Sequence, residues 1–382
     1  EQLEMKSILS FVCALVLAGT GLAGTFSFTA PEGETVAVLN ATAKAFLRLP
    51  AESLDAHLLD QENFAAFAKA GTRPLVTRFA WTYTPAPDES APKGFTVSLR
   101  RRADGAVVHK EVVRASEASL VNLEIACDYV FRVAVCSDRG QELFAADRPF
   151  RTEDLPPRVL NVAGVRNFRD LGGWIGANGR RVRQGLVYRG QGLNDNSVTG
   201  EAQGRNRLMV EDVKYLTGTL GIRTDLDLRG PGETADLSSS PLGTGVRFVL
   251  RSSSCYRGIF EPDGMKTMAK NVRVFCDRSN YPIYFHCIGG ADRTGALAYV
   301  LNGVLGVSRQ EAETDWESTF YPRIPDENKD PNYWCRESHF NDGLAKYGTA
   351  DTPWNERVVL YLKACGITDG ELAAIREILL EG

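Results

Sequence analysis

Several features are scarce in this sequence of 382 residues, and each scarcity excludes a class of function. Its 44 basic and 48 acidic residues nearly balance, and no basic run is long enough to form the footprint of a nucleic-acid-binding protein. No Cys-x-x-Cys pair is present, and the four histidines are scattered along the chain at positions 57, 109, 286 and 339. We therefore expect no metal, no cofactor and no nucleic-acid partner.

Apolar runs are short as well. Residues 8–17 form an apolar run that follows Met5 and Lys6. The run is too short to span a membrane, and small residues suited to cleavage come after it. Residues 1–24 are thus predicted to be a secretory signal peptide, with residues 1–4 a cloning scar or a start-site error. The alternative is an N-terminal core helix. The signal predicts a secreted or periplasmic protein without a membrane span, and the oligomeric state stays open.

The eight cysteines match no known disulfide framework; they are residues 13, 127, 136, 255, 276, 287, 335 and 365. Cys127 and Cys136 fall on one predicted strand, where nine steps of about 3.3 Å place them too far apart to bridge. We expect most of these thiols to be small buried hydrophobic groups.

The length allows two domains with separate cores. Residues 25–72 are predicted to be a partly helical lead-in, with short helices over 36–49 and 53–70. From 73 to 153 the chain alternates like strands, at 78–83, 94–99 and 129–135. This pattern resembles a fibronectin type III or immunoglobulin-like β-sandwich. In it Trp81 lies in the core, and Leu123 and Tyr129 form a tyrosine corner. Such a sandwich is either a spacer that packs on its neighbour or a docking module.

Beyond a stiff linker at 154–157, strand and helix patterns alternate over residues 158–382. Strands are predicted at 222–228, 246–250 and 282–285, and a short helix at 212–220. Thr368 and Glu371 form a capping box for a last helix over 368–380. The fold class is therefore multidomain: an N-terminal β-sandwich, then an α/β domain with a mainly parallel sheet flanked by helices.

Residues 286–295, HCIGGADRTG, join the strand at 282–285 to a helix with apolar residues on one face. We call residues 287–293 the phosphate loop. Its glycines allow the backbone to turn N–H groups inward, the helix N-terminus adds partial positive charge, and Arg293 supplies a planar fork of donors. These features predict a cradle for a phosphate dianion with the sulfur of Cys287 at its base, reactive as a thiolate.

The loop resembles the signature of the cysteine-based protein tyrosine phosphatases. Three further segments, 167–173 (NFRDLGG), 186–190 (LVYRG) and 222–229 (IRTDLDLR) with Glu233, resemble motifs of its bacterial tyrosine/serine phosphatase family, in the same order. The resemblance implies catalysis by Cys287, Arg293 and Asp292. It also implies phosphate binding by the remaining loop residues and by the first helical hydroxyl, which are Ile288, Gly289, Gly290, Ala291 and Thr294.

The supporting residues implied are His286, Asp227, Arg229, Asn167 and Arg169. Asp292 is the implied general acid, and Asp227 is the second candidate. If Asp292 is instead structural, it would pair with a basic neighbour such as Arg169. Arg229 either contacts substrate or pairs with Glu233, and we favour the ion pair. Asn167, Arg169 and Asp170 are expected to hold the loop and the pocket edge.

Three function classes follow. The leading one is a secreted protein-tyrosine phosphatase, with phosphoserine and phosphothreonine as further substrates. The second is a phosphatase of small phosphoesters such as inositol phosphates. Several family members carry a lysine at the position of Ala291, so this loop offers less charge to a polyanion. The third is a module that binds phosphorylated ligands without catalysis.

Overall fold

A computed structural model of the chain describes residues 24–47, 74–87, 91–137, 140–194, 208–234, 237–320 and 337–382. The predicted signal peptide and the predicted helix over 53–70 lie outside these residues. Within them no helix is long and apolar enough to cross a membrane.

Two antiparallel sheets form the N-terminal half. The eight strands are β1 (Thr25–Ala30), β2 (Thr35–Val36), β3 (Thr77–Thr84), β4 (Phe95–Arg101), β5 (Val107–Val113), β6 (Glu117–Leu120), β7 (Asp128–Cys136) and β8 (Glu142–Thr152). One sheet has the order β1-β3-β6 and the other β2-β8-β7-β4-β5, with the short β2 parallel to β8. The predicted β-sandwich is therefore present.

Inward-facing aromatic residues fill the space between these sheets. Trp81 is buried as predicted, and the rings of Phe79 and Phe131 stack at 4.1 Å. The hydroxyl of Tyr129 accepts a hydrogen bond from the backbone N–H of Glu124 at 3.1 Å. This bond ties the start of β7 to the chain before it, as a tyrosine corner does.

The lead-in prediction needs a correction. Residues 25–36 are strands of the sandwich, because β1 pairs with β3 and β2 with β8. The predicted helix over 36–49 is a shorter α1 at Ala41–Leu47. Sequence reasoning missed β1 because TFSFTA is a short run isolated from the later strands, and its partner lies beyond residue 70.

A five-stranded sheet forms the centre of the C-terminal half. Its strands are β9 (Arg169–Asp170), β10 (Val187–Gln191), β11 (Thr224–Asp227), β12 (Arg247–Leu250) and β13 (Ile283–Cys287), in the order β12-β11-β13-β10-β9. All neighbours are parallel except β9 and β10. The mainly parallel sheet is thus confirmed, with β13 in its middle.

Helices cover this sheet. They are α2 (Val210–Lys214, continued by a π-helical turn at Tyr215–Thr219), α3 (Pro262–Val272), α4 (Asp292–Leu305), α5 (Arg309–Glu317), α6 (Glu337–Leu344), α7 (Trp354–Ala364) and α8 (Asp369–Leu379). Helix α4 is buried along nearly its whole length, so it forms the core of this half. The predicted capping box of Thr368 and Glu371 begins α8.

Side chains of the C-terminal half join it to backbone groups of the sandwich. The amide of Gln184 bonds both the N–H and the C=O of Ile125, each at 2.9 Å. Buried Arg158 donates to the carbonyl oxygens of Asn122 and Leu123 and to the carboxylate of Asp170. The motif residue Asp170 therefore lies at the junction of the halves and not at the loop it was expected to support.

Candidate active site

The candidate site lies where β13 ends and α4 begins. Cys287 is the last residue of β13 and is only 2 % exposed, and Asp292 is the first residue of α4. A loop at the carboxyl end of a central parallel strand is the usual ligand-binding edge of such sheets. The predicted strand–loop–helix unit is present.

The carbonyl oxygens of the phosphate loop are held on its outer side. The oxygen of Ile288 accepts from the N–H of Gly192 at 3.0 Å, and that of Gly289 accepts from the side-chain amide of Asn167 at 3.1 Å. Asn167 has a φ of 55°, a left-handed conformation that asparagine tolerates better than most residues. This conformation explains an asparagine at the start of the NFRDLGG segment.

Gly290 completes the set, because its oxygen accepts from Asn167 at 3.1 Å and from Arg189 at 3.0 Å. In a trans peptide the C=O and the following N–H point in opposite directions. The N–H groups of Gly289, Gly290 and Ala291 are therefore directed into the loop. They form the nest of donors expected for an anion.

Only glycine fits at position 290. Its φ is 69°, and a Cβ there would lie 2.4 Å from backbone atoms of Gly190. The positive φ disfavours any residue with a side chain, and the close approach to Gly190 excludes one. The loop can therefore pack directly on β10.

The N-terminus of α4 adds to the cradle. Its N-cap is Ala291, which has no side-chain acceptor for the first free N–H groups of the helix. Such an end binds anions well. One turn on, the hydroxyl of Thr294 is fully buried and has no hydrogen-bond partner among the described residues, which leaves it available to the sulfur or to a bound phosphate.

Arg293 is held in place by Glu233. Two hydrogen bonds, at 2.6 and 2.9 Å, join its guanidinium to that carboxylate, and they lower the pKa of Glu233. The predicted pairing of Arg229 with Glu233 is thus wrong. Arg229 binds Asp227 through bonds of 2.7 to 3.0 Å, because both side chains leave the same end of β11.

His286 lies between two carboxylates. Its Nε2 is 2.8 Å from Asp225, its Nδ1 is 3.7 Å from Asp227, and Ser240 donates to the other oxygen of Asp225. Burial alone would lower the pKa of His286, but the two carboxylates raise it above its ordinary value. Both ring nitrogens thus face carboxylates, which fits the predicted orienting role.

Asp227 is a poor candidate for the general acid in this setting. Burial opposes its ionisation, but the charge of His286 and the bonds from Arg229 lower the pKa of Asp227 below its ordinary range. A carboxylate so stabilised donates no proton near neutral pH.

Asp292 lies at the mouth of the loop with a different partner. Its Oδ1 accepts a short hydrogen bond from the hydroxyl of Tyr256. The pairing with Arg169 considered above does not occur: Arg169 binds Asn167, Asp315 and Thr319 instead. Within the part of the chain that the structure describes, Asp292 forms no ion pair with an arginine, as suits a proton donor.

A buried charge cluster backs the outer side of the loop. Asp315, from α5, binds Arg169 at 2.9 Å and Arg189 at 2.6 Å. Burial opposes ionisation of Asp315, but the two guanidinium groups lower its pKa. Through Arg189 and Asn167 this cluster holds the carbonyl of Gly290, so it determines the shape of the anion nest.

Sequence reasoning missed four residues of the site. The motif that contains Arg189 indicates no role for it, and the sequence predicts Arg229 and not Arg293 as the partner of Glu233. Asp315 and Tyr256 carried no signal, because neither lies in a motif.

Four other cysteines have raised pKa values. Burial raises the pKa of Cys255 to about 11, and the nearby charge of Asp292 adds to this effect. Cys127, Cys276 and Cys365 are likewise raised to about 11, chiefly by burial. No described group of histidine, cysteine and acidic residues has the arrangement of a metal site.

Comparisons with known proteins agree with this geometry. A sequence model of a family described as "Tyrosine phosphatase family" matches residues 160–381, more than half of the chain. A protein provisionally named as a tyrosine-protein phosphatase in Cupriavidus necator is 29% identical over 173 residues, 38% of this chain and 58% of the relative. The chain thus spans little more than half the length of that curated relative.

Two solved structures were compared as well. The core catalytic domain of the PP-IP phosphatase SIW14 from S. cerevisiae has 18% identity and a TM-score of 0.30, over 49% of this chain and 93% of that one. A β-D-glucuronidase from Dictyoglomus thermophilum has 11% identity and a TM-score of 0.15, over 66% and 40%. Likenesses this weak carry no argument.

Proposed function

The chain belongs to the tyrosine phosphatase family and is a cysteine-based phosphatase. From that premise we propose that it hydrolyses phosphotyrosine in proteins, with phosphoserine and phosphothreonine as slower substrates. The observation that carries the proposal is the phosphate loop after Cys287, whose carbonyl oxygens are held on the outer side by Asn167 and Arg189, so that the N–H groups that follow them face inward.

In the first step the thiolate of Cys287 attacks phosphorus. A sulfur–phosphorus bond forms as the bond to the leaving oxygen breaks, and Asp292 gives that oxygen its proton. The inward N–H groups and Arg293 hold the three equatorial oxygens. Positioning and electrostatics of this kind are the main contributions of a protein to phosphoryl transfer.

In the second step water attacks the phosphocysteine. Asp292, now a carboxylate, accepts the proton of the water, the sulfur–phosphorus bond breaks, and phosphate leaves. The buried hydroxyl of Thr294 stabilises the departing thiolate by a hydrogen bond. Glu233 keeps Arg293 in one orientation throughout, so that its bidentate fork needs no rearrangement.

One observation supports phosphotyrosine over phosphoserine and phosphothreonine, and a second supports it over a polyanionic small molecule. Cys287 is only 2 % exposed, so a phosphate on a long, flat side chain reaches it more easily than one on a short side chain. Four arginines of the site are already paired with carboxylates: Arg169 and Arg189 with Asp315, Arg229 with Asp227, and Arg293 with Glu233. Among the described residues of the site, these four arginines face three carboxylates, which leaves one uncompensated positive charge for a second or third phosphate.

A substrate panel tests the proposal. Phosphate release is measured with a phosphotyrosine peptide, the matched phosphoserine peptide and inositol hexakisphosphate, on the native chain and on Cys287→Ser. We expect the highest kcat/KM with phosphotyrosine and no release by the variant. Faster turnover of the inositol phosphate would favour the small-molecule alternative, and binding of all three without release would favour a binding module.

The activity should also be independent of metal ions, because the helix N-terminus and Arg293 already supply positive charge. A chelator should leave the rate unchanged, and vanadate, which mimics phosphate, should inhibit. A rate lost to chelator and restored by a divalent ion would contradict this mechanism.

We further propose that the sandwich is a fibronectin type III-like module that serves as a packing partner of the catalytic half, and that the protein is secreted or periplasmic. The contacts of Gln184 and Arg158 with backbone groups of the sandwich support the packing role. Fractionation of cells expressing the full sequence, with an intact-mass measurement of the N-terminus, tests the secretion. Cytoplasmic protein with residues 1–24 retained would contradict it.

A further inference from the structure

Tyr256 makes a contact that the mechanism has not used. It begins the 3₁₀ helix Tyr256–Phe260, and its hydroxyl donates the short hydrogen bond to Oδ1 of Asp292. The two residues are 36 apart in sequence, so their contact is a product of the tertiary fold.

The backbone of Tyr256 is strained. Its φ is 49°, in the left-handed region that a bulky side chain rarely adopts. Strain at a position beside a reactive group persists only where surrounding contacts impose it. Here the imposing contacts are identifiable.

The ring of Tyr256 lies parallel to that of Trp316, at an interplanar angle of 5° and a centroid distance of 6.1 Å. Trp316 is buried and follows Asp315 in α5. Helix α5 therefore supports the phosphate loop on two sides. Asp315 lies behind the loop carbonyls, and Trp316 packs against Tyr256, whose hydroxyl binds the carboxylate of Asp292.

We infer that Tyr256 is a positioning residue for the general acid. By binding Oδ1, its hydroxyl fixes the plane of the carboxyl group and leaves Oδ2 as the oxygen that carries the proton to the leaving group. This inference rests on the proposed function, in which Asp292 is the acid.

The experiment uses Tyr256→Phe, which removes the hydroxyl and keeps the ring on Trp316. Steady-state kinetics are compared on phenyl phosphate, a poor leaving group, and para-nitrophenyl phosphate, a good one. Asp292→Asn is measured in parallel. Tyr299→Phe is the matched control, because that ring also packs on Trp316, at 5.5 Å, while its hydroxyl donates to Glu313 and Asn341.

We expect Tyr256→Phe to lower kcat on phenyl phosphate about tenfold, with KM and the kcat on the nitrophenyl ester within about twofold. The control should lose less than about twofold on both esters. In the double variant with Asp292→Asn, removal of the hydroxyl should cause no further loss, since its effect passes through that carboxyl group.

Equal losses on both esters, or none, would overturn the role of Tyr256 while leaving the acid assignment intact, provided that Asp292→Asn shows the leaving-group dependence. If Asp292→Asn itself lacks that dependence, the acid assignment and this inference are both wrong.

Discussion

Two clusters of ion pairs, one in each half of the molecule, differ in burial. On the sandwich, Arg132 pairs with Glu142 and Asp147 at 2.8 Å each, with side chains 35 to 50% exposed. In the catalytic half, Arg169 and Arg189 pair with Asp315 at similar distances, with side chains at most 2% exposed.

The two clusters differ in what they contribute to the protein. An exposed ion pair contributes about 0–1 kcal/mol because water and salt screen it. A buried pair costs several kcal/mol to desolvate, so hydrophobic packing would stabilise the fold as well or better. The buried cluster is therefore explained by what it positions, the carbonyl of Gly290 and the side chain of Asn167.

The largest effect should come from Cys287→Ser, which changes one buried atom of the catalytic half. We expect turnover of an aryl phosphate to fall by about 1000-fold or more, because a serine hydroxyl is scarcely ionised near neutral pH. The temperature of thermal unfolding should stay near that of the native chain, and titration calorimetry should still detect the binding of vanadate. Cys276→Ser, whose thiol bonds the backbone carbonyls of Val272 and Glu371, is the control and should keep full activity. Substantial turnover by Cys287→Ser would remove the nucleophile from the mechanism.

Asp315→Asn tests the comparison directly, because it leaves two buried guanidinium groups without their carboxylate. We expect a loss of about 3–5 kcal/mol in the free energy of unfolding, measured by urea denaturation. The matched change on the sandwich, Asp147→Asn, should cost less than about 1 kcal/mol. Similar losses for the two variants would contradict the distinction between the halves.

The contrast between buried and exposed pairs can also be tested at His286, by measuring the free energy of unfolding over a series of pH values. A histidine whose folded pKa is raised contributes stability that is fully present below its unfolded pKa of about 6.5 and is lost as pH rises through the folded pKa. Asp225→Asn should therefore cost about 2 kcal/mol at pH 6 and progressively less at alkaline pH. On the sandwich, Glu111→Gln removes the carboxylate 3.1 Å from partly exposed His109 and should cost less than about 1 kcal/mol at every pH. If the stability lost in Asp225→Asn grew with pH, the assigned upward shift of the His286 pKa would be wrong.

The smallest effect is expected at the junction of the halves. Gln184→Ala removes two bonds to the backbone of Ile125 and should lower the free energy of unfolding by about 1 kcal/mol. Exposed Gln310→Ala should change it by less than about 0.5 kcal/mol. If Gln184→Ala splits unfolding into two transitions while the control does not, these bonds couple the halves. No change at all would show that the junction depends on other contacts.

Local patterns in the sequence were enough for much of the fold. The strand at 283–287, the glycine loop and the helix after it follow from apolar periodicity, backbone freedom and an anion-binding helix end, which act between near neighbours. The capping box at Thr368 and the alternating strands of the sandwich are local in the same sense. For this reason Cys287 and Arg293 could be named from the sequence, whereas Asp292 was named from the family resemblance.

The partners of those residues were decided only by the tertiary structure. Arg293 binds a carboxylate 60 residues away, Arg169 one 146 residues away, and Asp292 a hydroxyl 36 residues away. The sequence by itself determined which chemical groups are present and which local units carry them. Many acids could have paired with each arginine on chemical grounds, and chain packing alone selects one. That is why the prediction for Arg229 was wrong, why Asp315 and Tyr256 were missed, and why the geometry of the loop had to come from the fold.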